Sequence, residues 1–242
     1  MTNGWQRPVY GQTLDAATYD AGLRQYMVNI YRMMAGGLAL TGLVAWYLAF
    51  QAQQNPDLMA VLYNSPLKWV ILFAPLVFVF IFAARIHAMS LASAQTTFWV
   101  YAGLMGLSLS SIFLIYTGQS IARVFFIAAA TFGATSLYGY TTKTSLARFG
   151  SFLIMGLIGV VIASIVNIFI ASSALQFAIS VIGVLVFTGL TAYDTQRLKE
   201  VYDGSMGQEN IGKLAVMGAL TLYLDFINLF MMMMQLFGDR RN

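Results

Sequence analysis

Seven long apolar segments, separated by short polar stretches, run along this chain of 242 residues. Each segment is close to the roughly 20 mostly apolar residues that an α-helix needs to cross a bilayer. The pattern therefore predicts an all-α integral membrane protein with seven transmembrane helices. In chain order the predicted spans are Met27–Phe50, Trp69–Ala88, Thr97–Tyr116, Ile121–Tyr140, Phe152–Ala171, Gln176–Tyr193 and Leu214–Phe237.

The polar ends of the chain define the predicted domain organisation. Residues 1–26 are expected to form a polar cytoplasmic tail, residues 27–238 the transmembrane domain, and residues 239–242 a short C-terminal tail. Glycines recur inside the spans at spacings typical of close helix contacts. These glycines predict a compact bundle, and they are Gly36, Gly37, Gly103, Gly106, Gly156, Gly159 and Gly183.

Composition supports this prediction and narrows the chemistry. Hydrophobic residues make up 59% of the chain and charged residues 9%, with a mean hydropathy of +0.73, whereas soluble domains carry about 25% charged residues. Cysteine is absent and His87 is the single histidine, so neither a disulfide nor a cysteine or histidine metal cluster is expected. The sequence contains no serine-nucleophile, zinc-protease or nucleotide-loop motif and no basic tract. We therefore expect no enzymatic activity, no bound cofactor and no nucleic-acid partner.

The basic residues predict how the chain crosses the membrane. Cytoplasmic ends of membrane proteins collect lysine and arginine, and a cytoplasmic N-terminus places nine bases inside and four outside. The inner bases are Arg7, Arg24, Arg32, Arg85, Lys143, Arg148, Arg197, Lys199 and Lys213, and the outer ones are Lys68, Arg123, Arg240 and Arg241. The C-terminus is then expected outside, although Arg240 and Arg241 leave open a last helix that re-enters on the inner side.

Arg85, Asp194 and Asp225 are charged residues in, or directly beside, predicted spans. A charge at the centre of a membrane helix costs about 2.5 to 3.5 kcal/mol, so each needs a partner or a function. Asp225 follows Lys213 by twelve residues, which is roughly 18 Å along a helix and too deep for a short side chain to reach water. If the residues between Lys199 and Lys213 extend both helices into the cytoplasm, Asp194 and Asp225 meet at one depth. Arg85 is expected at a similar depth.

A hydrogen-bonded pair of aspartates with one arginine would have a specific chemistry. Two carboxylates in contact at low dielectric cannot both be ionised cheaply, so the pair would share a proton, titrate as a unit and sense cytoplasmic acidity. Carboxylate oxygens are also ligands that Ca²⁺ prefers, which makes Asp194 and Asp225 candidate transient calcium ligands. The same charges can instead serve packing alone. The predicted supporting polar residues are Tyr193, Tyr223, Asn228 and His87.

Three stretches of the chain resemble the Bax inhibitor family, also called transmembrane Bax inhibitor motif proteins. FTGLTAYDTQRLK, at residues 187–199, is similar to the family's sixth-helix motif, and LYLDFINLF, at residues 222–230, is similar to its seventh-helix motif. SLYGYTTKTSLARFGSFLIMGLIG, at residues 136–159, resembles the stretch from the fourth into the fifth helix. The chain is thus identified as a bacterial-type member.

This resemblance implies seven helices with the last one central, and a pH-sensitive calcium leak through a bacterial inner membrane. It assigns the family's pH-sensing pair to Asp194 and Asp225, and the second-helix arginine that pairs with the sixth-helix acid to Arg85. Calcium and protons would be the ligands, with no cofactor. Two alternatives remain open: a non-conducting scaffold or regulator that binds other membrane proteins, and a proton-coupled calcium exchanger.

Overall fold

The computed structural model describes residues 16–241, and within that part seven long helices account for most of the chain. The predicted N-terminal tail up to residue 15, with Arg7, and the last residue, Asn242, lie outside the described residues. The helices are α1 (Ala16–Gln54), α2 (Leu67–Arg85), α3 (Leu91–Leu109), α4 (Gly118–Thr141), α5 (Ala147–Ile170), α6 (Ser173–Glu200) and α7 (Gln208–Phe237). All seven are long and apolar enough to cross a membrane.

Most helices extend beyond the predicted spans, because hydropathy marks only the part of a helix that lies in hydrocarbon. Helix α1 already begins at Ala16, since Leu23 and Tyr26 are buried and the Tyr26 ring lies 5.3 Å from that of Tyr202. Helix α6 continues to Glu200 and α7 starts at Gln208, so the predicted helical extensions are present. Side-chain caps start three helices at the polar boundary, from Ser90, Thr117 and Ser172.

Short helical pieces occupy several connections. A turn at Pro56–Met59 and a π-helical turn at Ala60–Asn64 join α1 to α2, and a 3₁₀ turn at Ile86–Ala88 follows α2. The third predicted span, Thr97–Tyr116, is interrupted, because α3 ends at Leu109 and a separate turn forms at Ile112–Ile115.

Helix α7 lies at the centre of the bundle. About two thirds of its most apolar 18-residue window is buried (67%), against 11% for α5. It packs against α1, α3, α4 and α6. The predicted fold, an all-α membrane bundle with the last helix central, is therefore confirmed.

The connections define two ends of the bundle. At one end, which we call the α6–α7 end, Leu91 at the start of α3 lies beside Gly212 of α7, and Gln196 of α6 binds the α4–α5 connection. At the other, the C-terminal end, Asp239 and Arg241 pair with the chain on either side of Tyr116: Thr117 N donates to Asp239 O and Arg241 N to Ile115 O, both at 2.9 Å. Helix α7 runs without a break between these ends, so a re-entrant last helix does not occur in the described chain.

The predicted glycine contacts are present at most positions. An added Cβ would collide with a neighbouring helix or with its side chains at Gly36, Gly37, Gly106, Gly156 and Gly183. Gly103 and Gly159 differ, because nothing lies within 4 Å of an added Cβ at either. Helix packing therefore explains five of these glycines and not the other two.

Candidate functional site

Asp194 and Asp225 meet inside the bundle, nearer the α6–α7 end. Their carboxyl groups, one from α6 and one from α7, lie close enough to act directly on each other. A hydrogen bond between them would require that one carboxyl is protonated and donates its O–H. Asp225 is 6% exposed, and its Oδ2 has no hydrogen-bond partner in the described chain. The two aspartates are thus neighbours in the bundle, and their role in pH sensing stays a prediction.

The predicted contact of Arg85 with an aspartate is absent. Arg85 is exposed at the end of α2 and forms no ion pair among residues 16–241. The positive charge that acts on Asp194 comes from Arg197, three residues further along α6. Arg85 was assigned this contact from its depth and from the family resemblance, but position along a span does not predict the direction in which a side chain points. His87, in the 3₁₀ turn after α2, is also exposed.

The predicted supporting residues point elsewhere. The Tyr223 hydroxyl bonds to Thr41 Oγ1 at 2.7 Å, and because Thr41 donates to Ala102 O, Tyr223 is the donor. Tyr193 packs on Gly150 of α5, where its ring occupies the space of a missing Cβ. Asn228 is half-buried and has no side-chain hydrogen bond among the described residues. Of these three, none has a hydrogen bond to the aspartate pair.

A chain of hydroxyl groups beside the pair was missed from the sequence. Tyr31 of α1 bonds to Ser136 of α4 at 2.6 Å, and Ser136 bonds to Thr195 of α6 at 2.9 Å. Thr195 donates to the carbonyl oxygen of Thr191, so each hydroxyl has one acceptor and the chain runs from Tyr31 towards α6. Thr195 directly follows Asp194. The carboxyl site is thereby tied to α1 and α4 by buried polar contacts.

The end of α6 also fixes the α4–α5 connection. The buried Gln196 accepts from Leu146 N at 2.6 Å and donates to Thr144 O at 3.0 Å. The Lys199 ammonium donates to Tyr140 O at 3.0 Å and lies 5.2 Å from the centre of that ring. Asp194 is therefore followed by a turn of helix in which Thr195, Gln196 and Lys199 all hold neighbouring segments.

The pair could bind a cation only with further ligands. No group of three or more histidine, cysteine, aspartate or glutamate residues comes together in the described part of the chain. Ca²⁺ takes six to eight oxygen ligands, so two carboxylates would hold it together with water or main-chain oxygens. Such an arrangement suits an ion in transit better than one retained in a closed site.

Comparison with known proteins gives the family. A family model described as "Inhibitor of apoptosis-promoting Bax1" matches residues 23–242. The chain belongs to the Bax inhibitor family. The sequence resemblance is thus confirmed, and two of the three stretches that carried it are the parts of α6 and α7 that hold the aspartate pair.

Bacterial relatives of this Bax inhibitor family member span nearly the whole chain. Protein RP147 of Rickettsia prowazekii is 50% identical over 226 residues, covering 93% of this chain and 94% of its own length. "Inner membrane protein YbhL" of Escherichia coli K12 is 47% identical over 224 residues, with 91% and 94% covered. A protein of Caulobacter vibrioides is 43% identical over 248 residues, with 100% and 98% covered. The chain is a multi-pass membrane protein.

Proposed function

We propose that this protein is a pH-sensitive calcium leak channel, gated by protonation of the Asp194–Asp225 pair. The observation that carries the proposal is the close approach of the Asp194 and Asp225 carboxyl groups between α6 and α7, with the buried Oδ2 of Asp225 left without a hydrogen-bond partner in the described chain. A shared proton would let the two carboxyls form a hydrogen bond at this contact. The protonation state therefore bears directly on whether the two helices stay together at this depth.

Loss of the shared proton supplies the switching force. Two ionised carboxylates in contact repel each other strongly where little water screens them. Separation of Asp194 from Asp225 relieves this repulsion and loosens the contact between α6 and the central helix. The hydroxyl chain through Ser136 and Thr195 would pass such a movement to α4 and α1.

The same carboxylates favour calcium over large or uncharged solutes. Once separated they present oxygen ligands to a divalent cation, and the ion's charge then replaces the shared proton. Because the described chain offers no third acid or histidine at the pair, binding would be weak enough for release. Weak binding at a protonatable site is what a leak requires.

Purified protein in liposomes loaded with a calcium-sensitive dye tests this proposal. Calcium entry is measured across pH for the wild type, Asp194→Asn and Asp225→Asn, and each substitution is expected to flatten the pH profile. Asp203→Asn is the matched control, since Asp203 is exposed in the α6–α7 connection. Hydrogen bonds from the main-chain N–H and hydroxyl of Ser205 hold the pKa of Asp203 below its ordinary value, so it stays ionised near neutrality.

The outcomes also separate the alternatives. Wild-type pH profiles in both pair variants would refute gating by the pair. Calcium driven uphill by an imposed proton gradient would favour a proton-coupled exchanger. Absence of flux together with stoichiometric membrane-protein partners in pull-downs would favour a scaffold or regulator.

A further inference from the structure

A long cleft separates α1 from α4 on the outside of the bundle. The two helices make few direct contacts, and three successive cavities of about 460, 640 and 310 Å³ lie between them. Neighbouring cavities share lining residues, Phe132 for the first two and Phe226 for the last two, so the three cavities adjoin along the cleft. Along α1 it runs from Arg24 to Ala45, which is roughly 32 Å of helix and close to the thickness of the hydrocarbon layer.

Three glycines in the walls of the cleft have no close packing partner in the described chain that would explain them. Gly42 of α1 and Gly118 and Gly133 of α4 line it, and nothing lies within 4 Å of an added Cβ at any of them. A glycine inside a helix costs about 1 kcal/mol relative to alanine. At these positions no neighbouring helix accounts for that cost, in contrast to Gly139 of α4, which packs against Ala192 of α6.

Among the residues that line the three cavities, a charged side chain is found only at one end of the cleft. Arg24 lines the cavity nearest the α6–α7 end and forms no ion pair among the described residues. Lys199 binds Tyr140, which lines the same cavity from α4. Between these bases and the apolar part of the cleft lie the hydroxyls of Tyr31 and Ser136. From Arg24 to Ala35 the cleft covers roughly 16 Å, about half the hydrocarbon thickness.

We propose that this half of the cleft binds one anionic phospholipid, with its phosphate at Arg24 and an acyl chain lying between α1 and α4 over Tyr31 and Gly133. Basic residues at a membrane surface attract anionic headgroups, and the polar-then-apolar order along the cleft matches that of a lipid. The cavities are of the size that holds small ligands, whereas a transmembrane helix is about 10 Å wide and 30 Å long. The proposal is independent of calcium transport.

The lipid would contact the structure that supports the aspartate pair. Tyr31 lines the cleft and begins the hydroxyl chain that ends on α6 beside Asp194. A lipid acyl chain over Tyr31 would cover these hydrogen-bonded hydroxyl groups from the bilayer side. Removal of the lipid is therefore expected to loosen the contact between α1 and α4 at Ser136.

Native mass spectrometry of the purified full-length protein tests the site. Detergent-solubilised protein is incubated with equal amounts of phosphatidylglycerol and phosphatidylcholine that carry identical acyl chains, and the retained lipid is counted. The wild type is expected to retain one phosphatidylglycerol in preference. Arg24→Gln is expected to lower that retention about fivefold, whereas Arg148→Gln, an exposed base at the same end of the bundle, leaves it unchanged.

A second pair of variants fills the cleft without changing charge. Gly133→Trp is expected to abolish the retained phosphatidylglycerol, whereas Gly159→Trp does not, because Gly159 is equally open but lies on α5 away from the cleft. Equal retention of the two lipids by the wild type, or unchanged retention in both Arg24→Gln and Gly133→Trp, overturns the proposal. So does a wild-type dimer that Gly133→Trp dissociates, since the occupant would then be a helix of a second copy.

Discussion

Lys199 of α6 covers the C-terminal end of α4 by donating to the carbonyl oxygen of Tyr140 at 3.0 Å while its ammonium lies over the Tyr140 ring. The last carbonyls of a helix have no partner within the helix, and a basic side chain there satisfies one and complements the helix dipole. One turn earlier, Gln196 binds the α4–α5 connection. The two contacts fix α6 relative to α4 directly after Asp194.

The contact made by Gln196 is expected to stabilise the fold more than the contact made by Lys199. The Gln196 side chain is buried, and it bonds both to a main-chain N–H and to a main-chain carbonyl. Gln196→Leu keeps the volume but leaves Leu146 N and Thr144 O without their partner, which costs about 1 to 3 kcal/mol. Chemical unfolding in detergent micelles measures the loss. Gln25→Leu is the control, since Gln25 is exposed and bonds only to Asn29 on its own helix. Equal losses for the two variants would contradict this assignment.

The close approach of α4 to α6 depends on Gly139. An added Cβ there would collide with the main-chain carbonyl carbon and oxygen of Ala192, atoms that cannot move aside as a side-chain tip can. Gly139→Ala is therefore expected to destabilise the protein by about 1 to 3 kcal/mol. Gly133→Ala on the same helix meets nothing within 4 Å and is expected to be neutral or to stabilise by up to about 1 kcal/mol. Unfolding midpoints in one detergent compare the two, and a similar shift in both would argue against a backbone collision.

Hydropathy and the family motifs were sufficient for the fold, and they singled out Asp194 and Asp225 as charged residues within the bundle. The spans are strongly apolar, and a carboxyl in such a span stands out because its burial is costly. Helix ends were predicted less well, since Tyr26 near the start of α1 packs on Tyr202, a residue distant in sequence. The break after Leu109 in the third span was not predicted either, although two polar residues, Ser110 and Ser111, occupy it.

The surroundings of the pair could not be predicted in the same way. Residue spacing gives depth in the membrane but not the rotation of one helix relative to another, and the contact that depth and the family resemblance assigned to Arg85 is absent from the described chain. Tyr31, Ser136 and Thr195 carry no charge, and hydroxyl residues are common enough in membrane helices that none stands out. Only the packing of α1, α4 and α6 brings these three together.

The hydrogen bond between Tyr31 and Ser136 is expected to stabilise the protein modestly, so the effects of removing the two hydroxyls should be coupled. Tyr31→Phe, Ser136→Ala and the double variant form a cycle that isolates the bond between them, and membrane-embedded hydrogen bonds contribute about 0.6 kcal/mol on average. Unfolding free energies in micelles give the coupling. Thr41→Val combined with Tyr31→Phe is the control cycle, because the Thr41 hydroxyl bonds to Tyr223 and Ala102 and has no bond to Tyr31. A coupling of zero between Tyr31 and Ser136 would show that the bond contributes nothing.

A variant of Arg85 distinguishes a contact that stabilises this structure from a contact that forms only in a second conformation. Because Arg85 is exposed and has no ion pair in the described chain, Arg85→Gln is expected to change the free energy of unfolding by no more than about 0.5 kcal/mol. A lock between Arg85 and Asp194 in a second conformation would still alter the pH profile of calcium flux in liposomes. Arg148→Gln, another exposed base at the α6–α7 end, controls for the general loss of positive charge. If Arg85→Gln and Arg148→Gln both keep the wild-type profile, Arg85 has no part in gating and the proposed switch rests on the carboxyl pair alone.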